Sequence, residues 1–360
     1  MRALPPPPQF RALPRLPPSR WEWLRPATQP ETLAFAVRTT VATLLSLWLA
    51  FRLQFGSPYL GAVTIWLISR PAVRSTMLTS VARFIGTLVG SLGAVIIMAI
   101  VAQLPVTALV LMALWLAGCA AGATLSLMPT YTYTFQLAGF AILTAIAASI
   151  PDPNRAFLIA IDNCAGVSLG IFCVFAVDAL FPYGLDVPTS PPAPRIKGTL
   201  VQAAVNAAIA GGAVLVTGAF WMATAWPQGI YFLFAAGLVT VFFAPTLKPD
   251  VLAAEWAQGI ALSGLVSSLY VFVLLPQATT FAGLAAFFVP VLVLGGLVVA
   301  IPRLAQAGLV IAMAYLFILI QPTNAQRTDP VTFLNNGLAY TLGGVFGTVA
   351  FRFGGRGTWR

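Results

Sequence analysis

D-P-N-R-A-F-L-I-A-I-D-N-C-A-G-V-S-L-G runs from Asp152 to Gly170, and D-P-V-T-F-L-N-N-G-L-A-Y-T-L-G-G runs from Asp329 to Gly344. Both set Asp-Pro before an apolar stretch and a polar pair just inside it, Asp162-Asn163 or Asn335-Asn336. Both then place a glycine seven residues after that pair, Gly170 or Gly343. The stretches preceding them share L-A-G at Leu137 to Gly139 and Q-A-G at Gln306 to Gly308, and Arg70-Pro71 answers to Ala244-Pro245. Matches kept in one order along the chain are the signature of an internal repeat. The fold expected is therefore two similar halves.

The halves belong in a bilayer. Of 360 residues, 59% are hydrophobic and 8% charged, too little charge to cover a water-facing surface, whereas lipid accepts apolar side chains on every outward face. Charge-poor runs are centred near 33–55, 58–69, 82–103, 106–127, 133–150 and 156–181. A second set lies near 199–220, 228–244, 252–275, 280–301, 304–320 and 332–351. The expectation is an all-α polytopic membrane protein of about 12 transmembrane helices, arranged as two parallel six-helix repeats. The second and eighth runs are short and are expected to tilt or to cross only partly.

Lysine and arginine orient the spans. With a cytoplasmic N-terminus, the inner loops receive Arg70, Arg74, Arg83, Arg195, Lys197, Lys248, Arg303, Arg352, Arg356 and Arg360, while the outer side receives only Arg52, Arg155 and Arg327. Both termini are then cytoplasmic. Residues 1–30 form a proline- and arginine-rich tail, 31–182 the first repeat, 183–198 a short cytoplasmic connector, 199–353 the second repeat and 354–360 a basic tail. The net charge of +10 reports this topology, because the basic residues form no groove-sized stripe of the kind that binds nucleic acid.

Enzymatic chemistry is not expected. The chain has no histidine, its three cysteines are scattered in apolar runs, and no set of residues resembles a metal centre or a nucleophilic triad, so no metal or other cofactor is expected. Function is sought instead in the few charges inside apolar runs. Arg38 enters the first span, and Arg70, Arg74 and Arg83 stand at the cytoplasmic ends of the second and third, where guanidiniums can attract and hold carboxylates. Fixing topology against anionic headgroups competes with that role for Arg70 and Arg74. Asp162 is the acid set deepest in an apolar run, and either carries a proton or braces a neighbouring helix together with Asn163. Asp178 is placed at the cytoplasmic interface. Gly86, Gly90 and Gly93, Gly166 with Gly170, and Gly343 with Gly347 form small-residue faces suited to close helix packing.

P-Y-L-G-A-V-T-I-W-L-I-S-R-P-A-V-R-S-T-M-L-T-S-V-A-R-F-I-G-T-L-V-G, Pro58 to Gly90, resembles the amino-terminal membrane segment of the fusaric acid resistance and aromatic acid exporter family. F-W-M-A-T-A-W-P-Q-G, Phe220 to Gly229, and Q-P-T-N-A-Q-R-T-D-P-V-T-F-L-N-N-G-L-A, Gln321 to Ala339, resemble its second membrane block. The resemblance covers nearly all of 31–353. It implies a bacterial inner-membrane exporter of aromatic carboxylic acids, coupled to the proton gradient and working with a periplasmic adaptor. Arg38, Arg70, Arg83, Asn335 and Asn336 become expected contacts for an anionic cargo, and Asp162 the expected proton-coupling group. The partners implied are membrane lipids, small organic anions, the adaptor and further copies of the chain. The sequence departs from the family in its connector, which is short where members carry a sizeable cytoplasmic domain. An organic-anion channel and a noncatalytic membrane subunit stand as alternatives to the exporter.

Overall fold

In a computed structural model, the chain is described over residues 29–69, 73–101, 104–149, 153–181, 198–299, 313, 316–323 and 329–354. Arg70, the tails 1–28 and 355–360, and residues 182–197 of the connector lie outside them, as do several arginines that oriented the spans. The described residues are helical throughout, with no strand. The first helices are α1 (Pro30–Arg52), α2 (Tyr59–Ile68), α3 (Val73–Val101), α4 (Pro105–Leu125), α5 (Pro129–Ser149) and α6 (Ala156–Leu180). They are followed by α7 (Leu200–Thr224), α8 (Gly229–Phe243), α9 (Pro249–Leu269), α10 (Phe281–Val299), α11 (residues 316–320) and α12 (Pro330–Gly354).

Local chemistry sets many of these boundaries. α1, α4, α5, α9 and α12 begin on a proline, whose fixed φ and missing N–H suit the first helical turn. At the start of α12 the Thr332 amide donates to Asp329 Oδ2 at 2.8 Å, so Asp329 is the N-cap, and this bond holds its carboxyl below the usual range. α7 opens on a reciprocal capping box between Thr199 and Gln202. α1 and α7 end alike, with Gln54 and Ala225 in the left-handed region at φ 57° and 49°, and each turn feeds a short apolar helix.

Seven helical stretches among the described residues are long and apolar enough to cross a membrane. α2, with 10 residues, is only about 15 Å long and is buried almost all round, as a helix sealed inside a bundle must be. The outer faces of the long helices expose apolar residues, such as Leu88, Leu92, Ile96 and Ile100 along α3, where lipid tails replace water.

α3 starts nine residues before the apolar run expected at 82, because its first turns are polar without being costly. Ser80 Oγ donates to the Thr76 carbonyl at 2.8 Å, one turn back, so the hydroxyl is satisfied within the helix. Arg83 consequently lies some 15 Å along the helix axis rather than at its mouth.

α3 packs on α5 and α6, α2 on α6, α8 and α9 on α12. The first six helices meet the rest through α4 against α7, α1 against α10, and α5 against α8. Side-chain amides lock these contacts: Gln136 Nε2 donates to the Phe242 carbonyl at 2.6 Å, and Asn206 Nδ2 donates to Thr124 Oγ1 at 2.9 Å and to the Ala244 carbonyl at 2.8 Å. A polar group in an apolar interior is tolerated when it is paired in this way.

Candidate functional site

A cavity of about 250 Å³ lies where α2, α5, α8, α11 and α12 converge. Its wall is aromatic, made by Tyr59, Phe140, Tyr231, Phe234 and Tyr340, with Leu60 and Ile318 beside them. Polar groups are few: Ser57, Thr144, Gln321 and Thr323. The rings support one another. Phe140 meets Phe234 edge to face at 5.9 Å, Phe234 meets Tyr340 at 5.7 Å, and Tyr340 meets Tyr231 at 5.2 Å. In the first two pairs the positive edge of one ring meets the negative face of the next, while the two tyrosine rings are tilted by 34°. Gln321 holds a backbone φ of 43° at this wall, a conformation a non-glycine residue keeps only when its surroundings impose it.

Behind Phe140 sits Arg83. The residue is 0% exposed, and its guanidinium carbon is 4.9 Å from the Phe140 ring centroid. Nη2 reaches Thr64 Oγ1 at 3.5 Å, the outer limit of a hydrogen bond, while Nε and Nη1 are buried without a hydrogen-bond partner. A desolvated cation–π contact is worth ~2 kcal/mol, which offsets only part of the cost of keeping a guanidinium out of water. The cation therefore retains unmet demand for an anion, and one ring separates it from the cavity.

Arg38 occupies a different place. Its Nε is 3.8 Å from Asp178 Oδ1, with side chains 6% and 15% exposed, in a tight polar cluster with Thr39, Ser69 and Thr76. Asp178, near the end of α6, is therefore the partner of a buried arginine, a pairing between α1 and α6 that sequence order hides. Asp162 stands partly buried near the cavity and accepts a hydrogen bond from the Gly56 amide at 3.1 Å, which ties α6 to the turn between α1 and α2. Its neighbour Asn163 donates to Thr144 of the wall at 3.4 Å.

Asn335 and Asn336 are partly buried on α12, and Asn336 Oδ1 is buried without a hydrogen-bond partner. Neither lines the cavity; Tyr340, one turn further on, does. The glycines stand at helix crossings. A methyl group on Gly86 would lie 2.6 Å from Leu137 Cβ, and one on Gly90 would run into the Ala138 carbonyl, both on α5. One on Gly93 would lie 2.6 Å from the Trp115 ring of α4, and one on Gly166 would lie 2.9 Å from Leu60 Cβ. Gly170 lies against the Gly61 carbonyl of α2, Gly343 against the Phe232 carbonyl of α8, and Gly347 against Val239.

Phe140, Thr144, Tyr231, Phe234 and Tyr340 were not singled out by the sequence. Each is one aromatic or hydroxyl residue in a run of apolar ones, and only the helix packing reveals that they face a common space. Among the described residues no three His, Cys, Asp or Glu side chains gather as metal ligands. A flat apolar ring carrying a negative group matches the chemistry present, since the rings offer stacking surface and Arg83 offers charge.

The model of the fusaric acid resistance protein family matches residues 32–184 and 190–354. The chain is 30% identical over 156 residues to the p-hydroxybenzoic acid efflux pump subunit AaeB of Pectobacterium parmentieri, covering 41% of this chain and 23% of that one. It is 30% identical over 158 residues to the protein of the same name from Musicola paradisiaca, with 41% and 24% covered. To an uncharacterized transporter of Gluconobacter oxydans it is 27% identical over 151 residues, with 42% and 20% covered. The match thus spans about a quarter of these relatives' length. No solved structure matches the chain. With the family match running through nearly all the described helices, the chain belongs to the fusaric acid resistance protein family and is a multi-pass protein of the bacterial inner membrane.

Proposed function

We propose that this protein exports small aromatic or related organic anions from the cytoplasm, coupled to the proton gradient, along a path between two parallel six-helix repeats whose termini are cytoplasmic. The observation that carries the reading is the aromatic cavity with Arg83 buried behind its Phe140 wall. An anionic arene is the cargo that uses both features at once. The relatives named as p-hydroxybenzoic acid efflux pump subunits support the same cargo class, and the word subunit supports assembly with a partner chain, for which a periplasmic adaptor is our candidate.

The two-repeat arrangement draws support from exchanged packing. α4 lies on α7 as α10 lies on α1, α2 on α6 as α8 on α12, and α3 on α6 as α9 on α12. Such exchange follows from a pseudo-twofold axis along the membrane normal, which places a path at the centre. In the topology drawn from the arginines, the cavity opens to the periplasmic side at Gly56 and Gln321, and the Arg38–Asp178 pair closes the cytoplasmic side. Separation of α1 from α6 within the first repeat would break that pair and expose the cavity inward.

One observation favours an anion channel instead: the described residues lining the cavity include no carboxylate, and Asp162 stands beside it, bonded to the Gly56 amide. Uptake of labelled p-hydroxybenzoate into inside-out proteoliposomes separates the readings. Accumulation against the anion's electrochemical gradient that collapses with the proton gradient is the expected result. Purely downhill flux sinks the pump in favour of the channel, and absence of flux from correctly reconstituted protein favours an incomplete, partner-dependent subunit.

A further inference from the structure

Phe140 touches both the buried cation and the cavity, and it is 6% exposed. Its ring contacts the Arg83 guanidinium and also meets the Phe234 ring edge to face. Because Arg83 is fully enclosed, an anion in the cavity reaches the free Nε or Nη1 only after Phe140 has swung aside. That swing forfeits two favourable ring contacts, one to the cation and one to Phe234.

Resting on the reading of this cavity as the cargo site, we infer that Phe140 is its specificity-determining residue, a ring that shuts Arg83 against small anions and yields to carboxylates carrying an arene. The selection comes from what each anion restores. An aromatic carboxylate gives its charge to Arg83 and its ring face or edge to Phe234 and Tyr340, so both lost contacts are replaced. A saturated-ring carboxylate restores charge and apolar volume but has no quadrupole to offer Phe234. Acetate restores charge alone. Wild-type protein thus ranks benzoate above cyclohexanecarboxylate, and cyclohexanecarboxylate above acetate.

Removing the ring removes the cost of opening. In F140A the guanidinium faces the cavity permanently, and small anions enter without compensation. F140L keeps apolar volume without a ring and gives a second reading if F140A folds poorly. F140W keeps an aromatic face. The experiment compares flux of labelled benzoate, cyclohexanecarboxylate and acetate in proteoliposomes of wild type, F140A, F140L, F140W and R83M. The benzoate-to-acetate ratio is expected to fall at least tenfold in F140A and F140L, through a rise in acetate flux, and to stay within about threefold of wild type in F140W. If benzoate flux depends on Arg83 but the ratio is unchanged in F140A and F140L, Phe140 does not set specificity and the cargo site stands. If R83M moves benzoate as well as wild type does, the cargo-site reading itself falls.

Discussion

The helices before the connector and those after it are framed alike but filled differently. α1–α6 bury Arg38 and Arg83 with a train of hydroxyls, among them Thr39, Thr43, Ser46, Thr64, Thr87 and Ser91. Among the described residues α7–α12 bury fewer polar side chains and more rings, including Trp256, Tyr270, Phe288, Phe317 and Tyr340. The contrast is sharpest in the motifs Arg83-Phe-Ile-Gly86 of α3 and Trp256-Ala-Gln-Gly259 of α9, which stand at the same spacing as Asp162 and Asn335. Arg83 presents a cation to Phe140, whereas Trp256 presents an indole to Gly344, where an added methyl group would lie 2.9 Å away. Among the described residues the two regions are thus filled asymmetrically: Arg83 lies behind Phe140 in the first, and the second contributes Tyr231, Phe234 and Tyr340 to the cavity wall.

The largest expected effect tests that asymmetry. R83M is predicted to lower aromatic-anion flux by at least about thirtyfold, the lower end of what removing a buried charge contact costs. Its thermal unfolding midpoint should be unchanged or raised, because an apolar side chain replaces a cation that lacks an anion. W256F should reverse the pattern, with flux within about threefold of wild type and a lowered midpoint. Equal loss of flux in both variants would erase the distinction between the two regions.

Next in size is the ion pair. D178A leaves the Arg38 guanidinium buried without its carboxylate and should destabilise the protein by about 3–5 kcal/mol, read from denaturation in detergent micelles. The double variant R38M/D178L should recover most of that loss. A D178A variant as stable as wild type would mean that the pair opens to water and is no barrier.

The shared frame is tested by glycines. Gly170 and Gly343 face carbonyls of α2 and α8 respectively, at 2.6 and 2.5 Å from a methyl group placed on each. G170A and G343A should each cost about 1–3 kcal/mol, since backbone on the opposing helix must move. Gly118 has nothing within 4 Å, so G118A serves as the control and should gain about 0.5–1 kcal/mol from helix propensity alone. Strongly unequal costs at Gly170 and Gly343 would show that the two frames are not built alike.

The smallest effect concerns Asp329. Its folded carboxyl lies below the unfolded value because it accepts from the Thr332 amide, so the cap is fully present above about pH 4 and is lost as pH falls through the lower folded value. Amide exchange at Thr332, corrected for intrinsic rate, should quicken on acidification and in D329A at neutral pH, while the centre of α12 stays protected.

Much of the frame was legible because its causes are local. Prolines mark five helix starts, charge-poor runs mark the spans, and the shortness of α2 and α8 can be counted directly. The start of α3 was not legible, because Arg74, Ser75, Thr76 and Ser80 read as loop until the hydroxyl of Ser80 is seen to bond one turn back. Arg83 was singled out as an arginine entering an apolar run, yet its depth follows from that hidden start. The pairing of Asp178 was not legible because its partner lies on α1, far away in sequence.

What the sequence determined by itself is the solvent and the segment plan: lipid outside, helices of given length inside, and a scarcity of charges that makes each buried one conspicuous. Hydropathy and proline act over a few residues, so they can be read in a line. Tertiary structure alone decided which faces meet. Phe140, Tyr231, Phe234 and Tyr340 are ordinary members of apolar runs until α5, α8 and α12 turn them toward one space, and Arg83 becomes a buried cation awaiting an anion only when Phe140 closes over it. A cavity is a property of several surfaces at once, and no single span carries it.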